Sequence, residues 1–372
     1  MNASLRKGWN MRVWSMTPLC AAMLAAVGVG SGAAFADPGV RVSGPHVHDN
    51  LAVYFVHGTS AAGPVPLTLQ EALAKGSVQV IETGQVNELQ IENVGGEQVF
   101  IQAGDIVKGG KQDRVLTVSL VLPPKSGKVP IASFCVEQGR WSQRGKEDHS
   151  KFSSAKEAMP SVSGLLAMLA PSPPKAEPGQ TTTSQTGATR QIVEGGNETG
   201  EKQRKVWDSV ATTQKKLSGG LNGQAVAAPQ SATSLQLTLE HEKLQEARAA
   251  YVKALEASGL AEGDIVGYVV AINGKMSSAN LYPSNGLFQK MWPKQLAASV
   301  TEAIGDRKDG KPVEAPKPAA VSEFLDQAEQ GKKQEKTTVI GTRLETRDAD
   351  KVLFNEARTA SGKWVHRNYL AK

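Results

Sequence analysis

The sequence predicts an α+β fold: an antiparallel β-sandwich or barrel-like core with two or three packed helices and a low-complexity insert. Three observations carry that reading. Residues 40–136 hold a series of short apolar runs whose spacers are too short for crossover helices, so antiparallel pairing is favoured. Two later segments place apolar residues three and four apart, the spacing of one helix face. Residues 170–232 are dominated by Pro171-Ser-Pro-Pro174, Thr181-Thr-Thr-Ser184 and Gly219-Gly-Leu-Asn-Gly223, which have little apolar surface to bury.

Leu51 to Val56 is an unbroken apolar run between Asn50 and Gly58 and reads as a strand. Leu67 to Lys75 reads as a short helix, with Thr68 as N-cap and Gly76 just past its end. Strands are expected at Val78–Ile81, Leu89–Glu92, Gln98–Gln102, Arg114–Leu122 and Pro130–Val136, with a hairpin turn at Gly95-Gly96. Within the soft region, Trp207, Val210, Gln214 and Leu217 mark a helix over 201–217. Leu237, Leu244, Ala247, Tyr251 and Leu255 define one face of a long helix that Gly259 would cap. Asp264 to Ile272 and Ser278 to Tyr282 form a hairpin around Asn273-Gly274, a type I′ signal. Leu287 to Ile304 is a further helix with Pro293 early in it or kinking it. Residues 308–334 read as a charged linker with a short helix near Phe324, and 337–346 and 364–370 as closing strands.

The 372 residues suffice for one large domain or two ordinary ones. Lys and Arg exceed Asp and Glu by six, and Arg6, Lys7 and Arg12 carry three of those charges. That small residual excess, with aromatics at 5%, argues against a nucleic-acid partner. The same three basic residues precede an apolar stretch, Leu19 to Val29, and then Ala34-Phe35-Ala36, the small-residue pattern that a signal peptidase reads. Residues 1–36 are therefore expected to be an export signal cleaved after Ala36, leaving a periplasmic or secreted chain without a membrane span. The two cysteines, Cys20 and Cys135, exclude a disulfide scaffold, and Cys135 alone remains after cleavage.

Two segments carry the candidate chemistry. The first is Gly104 to Arg114, where Gly109-Gly110 is flanked by Lys108, Lys111, Gln112, Asp113 and Arg114. Its glycines allow close backbone approach and its cations favour an anionic ligand such as a phosphate. An ordinary β-turn with solvated charges is the competing reading. The second is Phe134 to Trp141. There Cys135 and Glu137 share one face of a strand, and a turn at Gly139 presents Arg140 and Trp141. A carboxylate, a guanidinium and an indole around a turn could grip a polar planar ligand. A buried cysteine with a Glu137–Arg140 ion pair pinning the strand end is the alternative. His46 and His48 share a strand face, but no third ligand stands at motif spacing, so no metal site is expected.

These two segments, with Gln203 to Trp207, Val266 to Gly274 and Phe288 to Leu296, resemble the ADP-ribosylglycohydrolase and rhodanese-phosphatase-superfamily associated domain family, a prokaryotic family. The resemblance covers roughly residues 45–305. It implies a role near ADP-ribose or NAD chemistry. The expected organisation is a signal peptide over 1–36, a family-like β-rich domain over 40–305 with an insert at about 171–232, and a linker with a strand-rich extension over 306–372. Three functions remain open. One is a binding module for a small anionic, nucleotide-like ligand or an envelope protein, using Lys111, Gln112, Asp113, Arg114, Glu137, Arg140 and Trp141. The second is an enzyme acting through Cys135 or Glu137 on an ADP-ribosyl or nucleotide-like substrate. The third is a structural envelope protein. No cofactor is identified. Intact-mass analysis of exported protein should find a chain beginning at Asp37; residues 1–36 still attached would contradict the export assignment.

Overall fold

Residues 41–140, 151–171, 181–183, 189–191, 198–308 and 314–372 are described by the structure, a computed structural model. Residues 1–36 (expected to be an export signal), Trp141, and residues 172–180, 184–188 and 192–197 of the expected insert lie outside the described residues.

The chain begins with β1 (Arg41–His48), β2 (Leu51–His57), β3 (Leu67–Thr68), α1 (Leu69–Ala74), β4 (Val78–Glu82), β5 (Glu88–Asn93) and β6 (Val99–Ile101). It continues through β7 (Asp105–Gly109), β8 (Arg114–Leu116), β9 (Leu120–Leu122), β10 (Lys128–Cys135), β11 (Phe152–Ala158) and α2 (Val162–Leu169). The short pair β12 (Thr181–Thr183) and β13 (Thr189–Gln191) precedes α3 (Glu198–Gly220), α4 (Leu235–Leu239) and α5 (Glu242–Gly259). Then come β14 (Ile265–Ile272), β15 (Lys275–Leu281), α6 (Asn285–Gly305) and α7 (Pro318–Glu329). The chain closes with β16 (Lys332–Thr337), β17 (Arg343–Asp348), β18 (Val352–Arg358) and β19 (Trp364–Ala371).

The runs that are apolar throughout, β2 and β14, are buried along their whole length and pair with each other. Strands covered on both faces read this way because neither face meets water. They belong to an eight-stranded antiparallel sheet, β1-β2-β14-β15-β19-β18-β17-β16. A six-stranded sheet runs β11-β7-β8-β10-β5-β4, and β3-β6-β9 form a third. Pairing is antiparallel except between β3 and β6. The core under the large sheet gathers Phe55, Tyr268, Phe288 and Trp292, with ring centroids 5.3–6.3 Å apart, against α3, α5 and α6. No helix among the described residues is long and apolar enough to cross a membrane.

Several local expectations hold in atomic detail. Thr68 caps α1 in a reciprocal box with Glu71, and Gly76 follows at φ +66°. Asn273 and Gly274 both have positive φ, as a type I′ turn requires. Others are corrected. Gly95-Gly96 joins no hairpin, because β5 and β6 lie in different sheets. The run 114–122 is broken into β8 and β9. Past Leu116 the partner β10 changes its pairing to β5, and the chain crosses to β6. The helix expected from Leu237 is two helices, α4 and α5. Gly259 does not cap α5: it is the last helical residue, where a Cβ would come within 2.3 Å of Trp292 Nε1. The buried stripe of α3 runs through Gln203, Val206, Val210, Thr213 and Leu217, one position off at Trp207 and Gln214. β16 to β19 extend the sheet that β1 and β2 begin.

Two buried ion pairs tie α5 and α6 to β7 and β11: Lys294–Asp105 at 2.6 Å and Arg248–Glu157 at 2.8 Å. Glu302 on α6 accepts hydrogen bonds from the Val162 amide of α2 and from the Ser277 hydroxyl. Burial pushes its carboxyl up to about 7. Between an ordinary carboxylate value and 7, the folded chain therefore holds a proton that the unfolded chain releases, so stability falls as pH rises through that window. Urea melts of wild type against Glu302→Gln from pH 4.5 to 7.5 should show wild type losing roughly 2–3 kcal/mol relative to the variant. Parallel pH profiles would show that Glu302 titrates normally.

Candidate functional site

The turn between β7 and β8 is built by packing. Gly109 and Gly110 have φ +127° and +59°. A Cβ on Gly110 would fall 2.2 Å from the Phe152 ring and 2.6 Å from Glu82 Oε1. The turn is closed by the Gly109 amide, which donates to Asp113 Oδ1 at 2.9 Å, and by the Lys111 amide, which donates to Glu82 Oε1 at 2.8 Å. Glycine is required here by the Phe152 side chain and the backbone angles.

β8 pairs with β10 so that Arg114 faces Cys135 and Val115 faces Phe134. The two motif segments thus converge. Their environment differs from the exposed strand end expected. Gln112, Asp113, Arg114 and Glu137 are all buried, Lys111 and Arg140 are half-buried, and Trp141 lies outside the described residues. The segment around α4 bonds to this strand end and to β7. Its Leu235 amide donates to Val136 O, Thr233 Oγ1 donates to Gln138 O, and Glu240 pairs with Lys108 at 2.7 Å.

At this strand end the charges pair. Arg140 Nε donates to Glu137 Oε2 at 2.6 Å, and Arg140 Nη2 lies 3.5 Å from Asp113 Oδ1. Arg114 Nη1 donates to Gln112 O at 3.1 Å, and Arg114 Nη2 lies 3.9 Å from Glu82 Oε2. Gln112 Nε2 donates to Glu137 O, and the Val136 amide to Asp113 O. Three carboxylates and two guanidiniums gather there, with Asp113, Arg114 and Glu137 sealed from solvent and Glu82 and Arg140 half-buried. The Glu137–Arg140 pair pins the end of β10, the alternative that the sequence left open.

Cys135 is fully buried, its Sγ 3.7 Å from Val86 O. Burial pushes its thiol up to about 11, so it is protonated at neutral pH and lacks the thiolate character of a nucleophile. Its amide and carbonyl are both held by the side chain of Gln203 at 2.9 Å.

A ligand-sized opening lies elsewhere. A cavity of about 460 Å³ lies against β16 to β19 of the eight-stranded sheet. Register places two rows on the facing side: Gln334, Thr346, Asn355 and Asn368 in one, Lys336, Leu344, Ala357 and His366 in the other. Opposite them stand Thr117, Val118 and Ser119 from the crossing between β8 and β9, Ala132 of β10, and Met168 and Lys202. His366 Nε2 donates to Asn280 Oδ1 at 3.0 Å, and Ser119 Oγ donates to His366 Nδ1 at 3.0 Å. Burial pushes the imidazole down to about 3, so it is neutral throughout the physiological range. The expected closing strands 337–346 and 364–370 overlap β17 and β19 of this wall. β18 was not foreseen, and Ser119 and His366 stand in no recognisable motif.

Residues 39–370 match the ARPP-1 domain, the ARG and Rhodanese-Phosphatase-superfamily-associated Protein domain. The chain belongs to the ARPP-1 family. No curated protein and no solved structure matches it. The ARPP-1 match runs past the earlier resemblance and takes in β16 to β19, which form one wall of the cavity.

A second polar cluster of this ARPP-1 domain lies at the start of the large sheet. His57 Nδ1 is 2.8 Å from Asp264 Oδ1 and 3.8 Å from Glu262 Oε2. The three residues have ligand atoms close enough to hold a metal ion, and the Arg41 guanidinium lies among them, 3.0 Å from Glu262 Oε2. The hydrogen bond from His57 holds Asp264 below the usual carboxylate range. His46 and His48 instead pack on Phe55 and Tyr251, with ring centroids 5.2 and 4.7 Å apart.

Arg140→Ala removes the 2.6 Å bond to the buried Glu137 carboxylate. The substitution should therefore cost ~3 kcal/mol in denaturant melts, close to the cost of Phe134→Ala. A loss under about 0.5 kcal/mol, the scale of a surface substitution, would mean that the pair does not hold the strand end.

Proposed function

We propose that this ARPP-1 protein is an exported binding module that takes a small, nucleotide-like ligand into the cavity between its sheets. The observation that carries the proposal is the cavity itself. Its sheet wall presents neutral polar groups from Thr346, Asn355 and Asn368, interleaved with Leu344 and Ala357. A concave site with mixed apolar surface and a few placed polar groups is the usual form of a small-molecule site. Lys202 and Lys336 line the cavity together with Glu198, Glu335, Glu345 and Glu356, so an anionic end on a neutral polar body would have to sit at the lysines. The burial of Cys135 and the pairing of Glu137 with Arg140 favour structural work for the signature segments, with binding at the cavity. Export after Ala36 would place the module in the periplasm or outside the cell, which fixes the pool of ligands it meets.

The test is a thermal-shift series with nucleosides, nucleotides and sugars on wild type and on Ala132→Trp. Ala132 is solvent-exposed and lines the cavity, so tryptophan there blocks the space without disturbing the core. A true ligand at 100-fold its Kd stabilises wild type by about 2.7 kcal/mol and leaves Ala132→Trp unshifted. Equal shifts in both proteins, or none in wild type, would reject the cavity as the site.

A further inference from the structure

The cluster at the start of the large sheet is independent of the cavity and has an internal order that its charges alone do not explain. β1 pairs with β2 so that Arg41 faces His57 and Ser43 faces Phe55, and β14 places Ile265 opposite His57 on the other side. Asp264 immediately precedes β14 and so arrives beside the imidazole. Ser43 Oγ lies 2.7 Å from His57 Nε2, and Asp264 Oδ1 lies 2.8 Å from His57 Nδ1. Nδ1–H donates to the Asp264 carboxylate, which leaves Nε2 as the acceptor that faces the serine hydroxyl. Arg41 Nη2, 3.0 Å from Nδ1, has Glu262 Oε2 as its own acceptor at 3.0 Å. The imidazole is 2% exposed, whereas Ser43 is half-buried. A pocket of about 440 Å³ opens beside the ring, lined by Arg41, His57, Thr59, Ser60 and Asp264.

A hydroxyl on one imidazole nitrogen and a carboxylate on the other is the arrangement that activates serine, and it is recognised by geometry, whatever the chain order. We propose that Ser43, His57 and Asp264 form a nucleophilic serine site that hydrolyses small carboxylic esters. Ser43 Oγ adds to the ester carbonyl carbon while its proton passes to His57 Nε2. The bond from that carbon to the alcohol oxygen breaks, and the alcohol leaves with the proton from Nε2. Water then attacks the acyl-serine and gives a proton to the same nitrogen. The carboxylic acid departs as Ser43 regains that proton. Asp264 keeps the ring in the required tautomer and stabilises its charged form. Arg41, bound to Glu262 and 3.6 Å from Asp264 Oδ2, is a positioning residue.

The experiment uses the full chain with p-nitrophenyl acetate and a fluorophosphonate probe. Wild type should take up one probe per chain, located on Ser43 by peptide mass, and release p-nitrophenol above background. Ser43→Ala should abolish both signals. Asp264→Asn, on an exposed side chain, should slow labelling at least 100-fold with an unchanged melting temperature. Labelling that survives Ser43→Ala, or no labelling of folded wild type, would overturn the proposal. So would p-nitrophenol release that EDTA removes and Zn²⁺ restores, because His57, Glu262 and Asp264 would then be metal ligands.

Discussion

Where β8 meets β10 the Arg114 guanidinium is sealed from solvent, and a buried cation is tolerated only with carboxylates and hydrogen-bond acceptors around it. Glu82 from β4, Asp113 before β8 and Glu137 after β10 gather in the same volume, and Arg140 joins Glu137 and Asp113. Each of these groups is costly to bury alone, so they constrain one another's positions. The constraint spreads along the backbone. Asp113 fixes the Gly109 amide, Glu82 fixes the Lys111 amide, and the Asp113 carbonyl receives the Val136 amide. Four strands of the six-stranded sheet are thus referred to one ionic cluster.

That cluster also sets where the cavity can be. β10 pairs with β5 through Lys128–Ala132 and with β8 through Ser133–Cys135. This split sends the chain after Leu116 across to β9. The crossing residues Thr117, Val118 and Ser119 are carried over the wall of β17, β18 and β19. Ser119 then bonds His366 and joins the small sheet to the large one. Phe100 and Tyr282 pack on the same imidazole, with centroids 6.0 and 5.3 Å away, and keep it dry and neutral. The signature segments therefore act on the cavity at a distance, by fixing the strand that bounds it.

The sequence carried the local chemistry well. Thr68 with Glu71, Asn273-Gly274 and the apolar run Leu51–Val56 each act through neighbours in the chain, so their structures are legible from a few residues. It placed strands at Arg114 and at Cys135 but not their pairing, which is set by the sheet. Burial was not legible, since the contacts at this strand end include the Leu235 amide, roughly a hundred residues away. β16 reads Lys-Lys-Gln-Glu-Lys-Thr, is exposed at every position, and has no apolar alternation to announce an edge strand. The serine, histidine and aspartate of the first cluster lie at 43, 57 and 264 and meet only through sheet pairing, so no spacing rule could have joined them.

The central claim is that the Arg114 cluster holds β7, β8 and β10 as one unit. Native-state hydrogen exchange at the Gly109 and Val136 amides tests it most directly, because these amides donate to Asp113 Oδ1 and Asp113 O. The account predicts that both exchange only through global opening, at the free energy that urea unfolding gives for the whole protein. Exchange of either amide through local openings several kcal/mol below the global value, with the β2–β14 amides still protected, would contradict it.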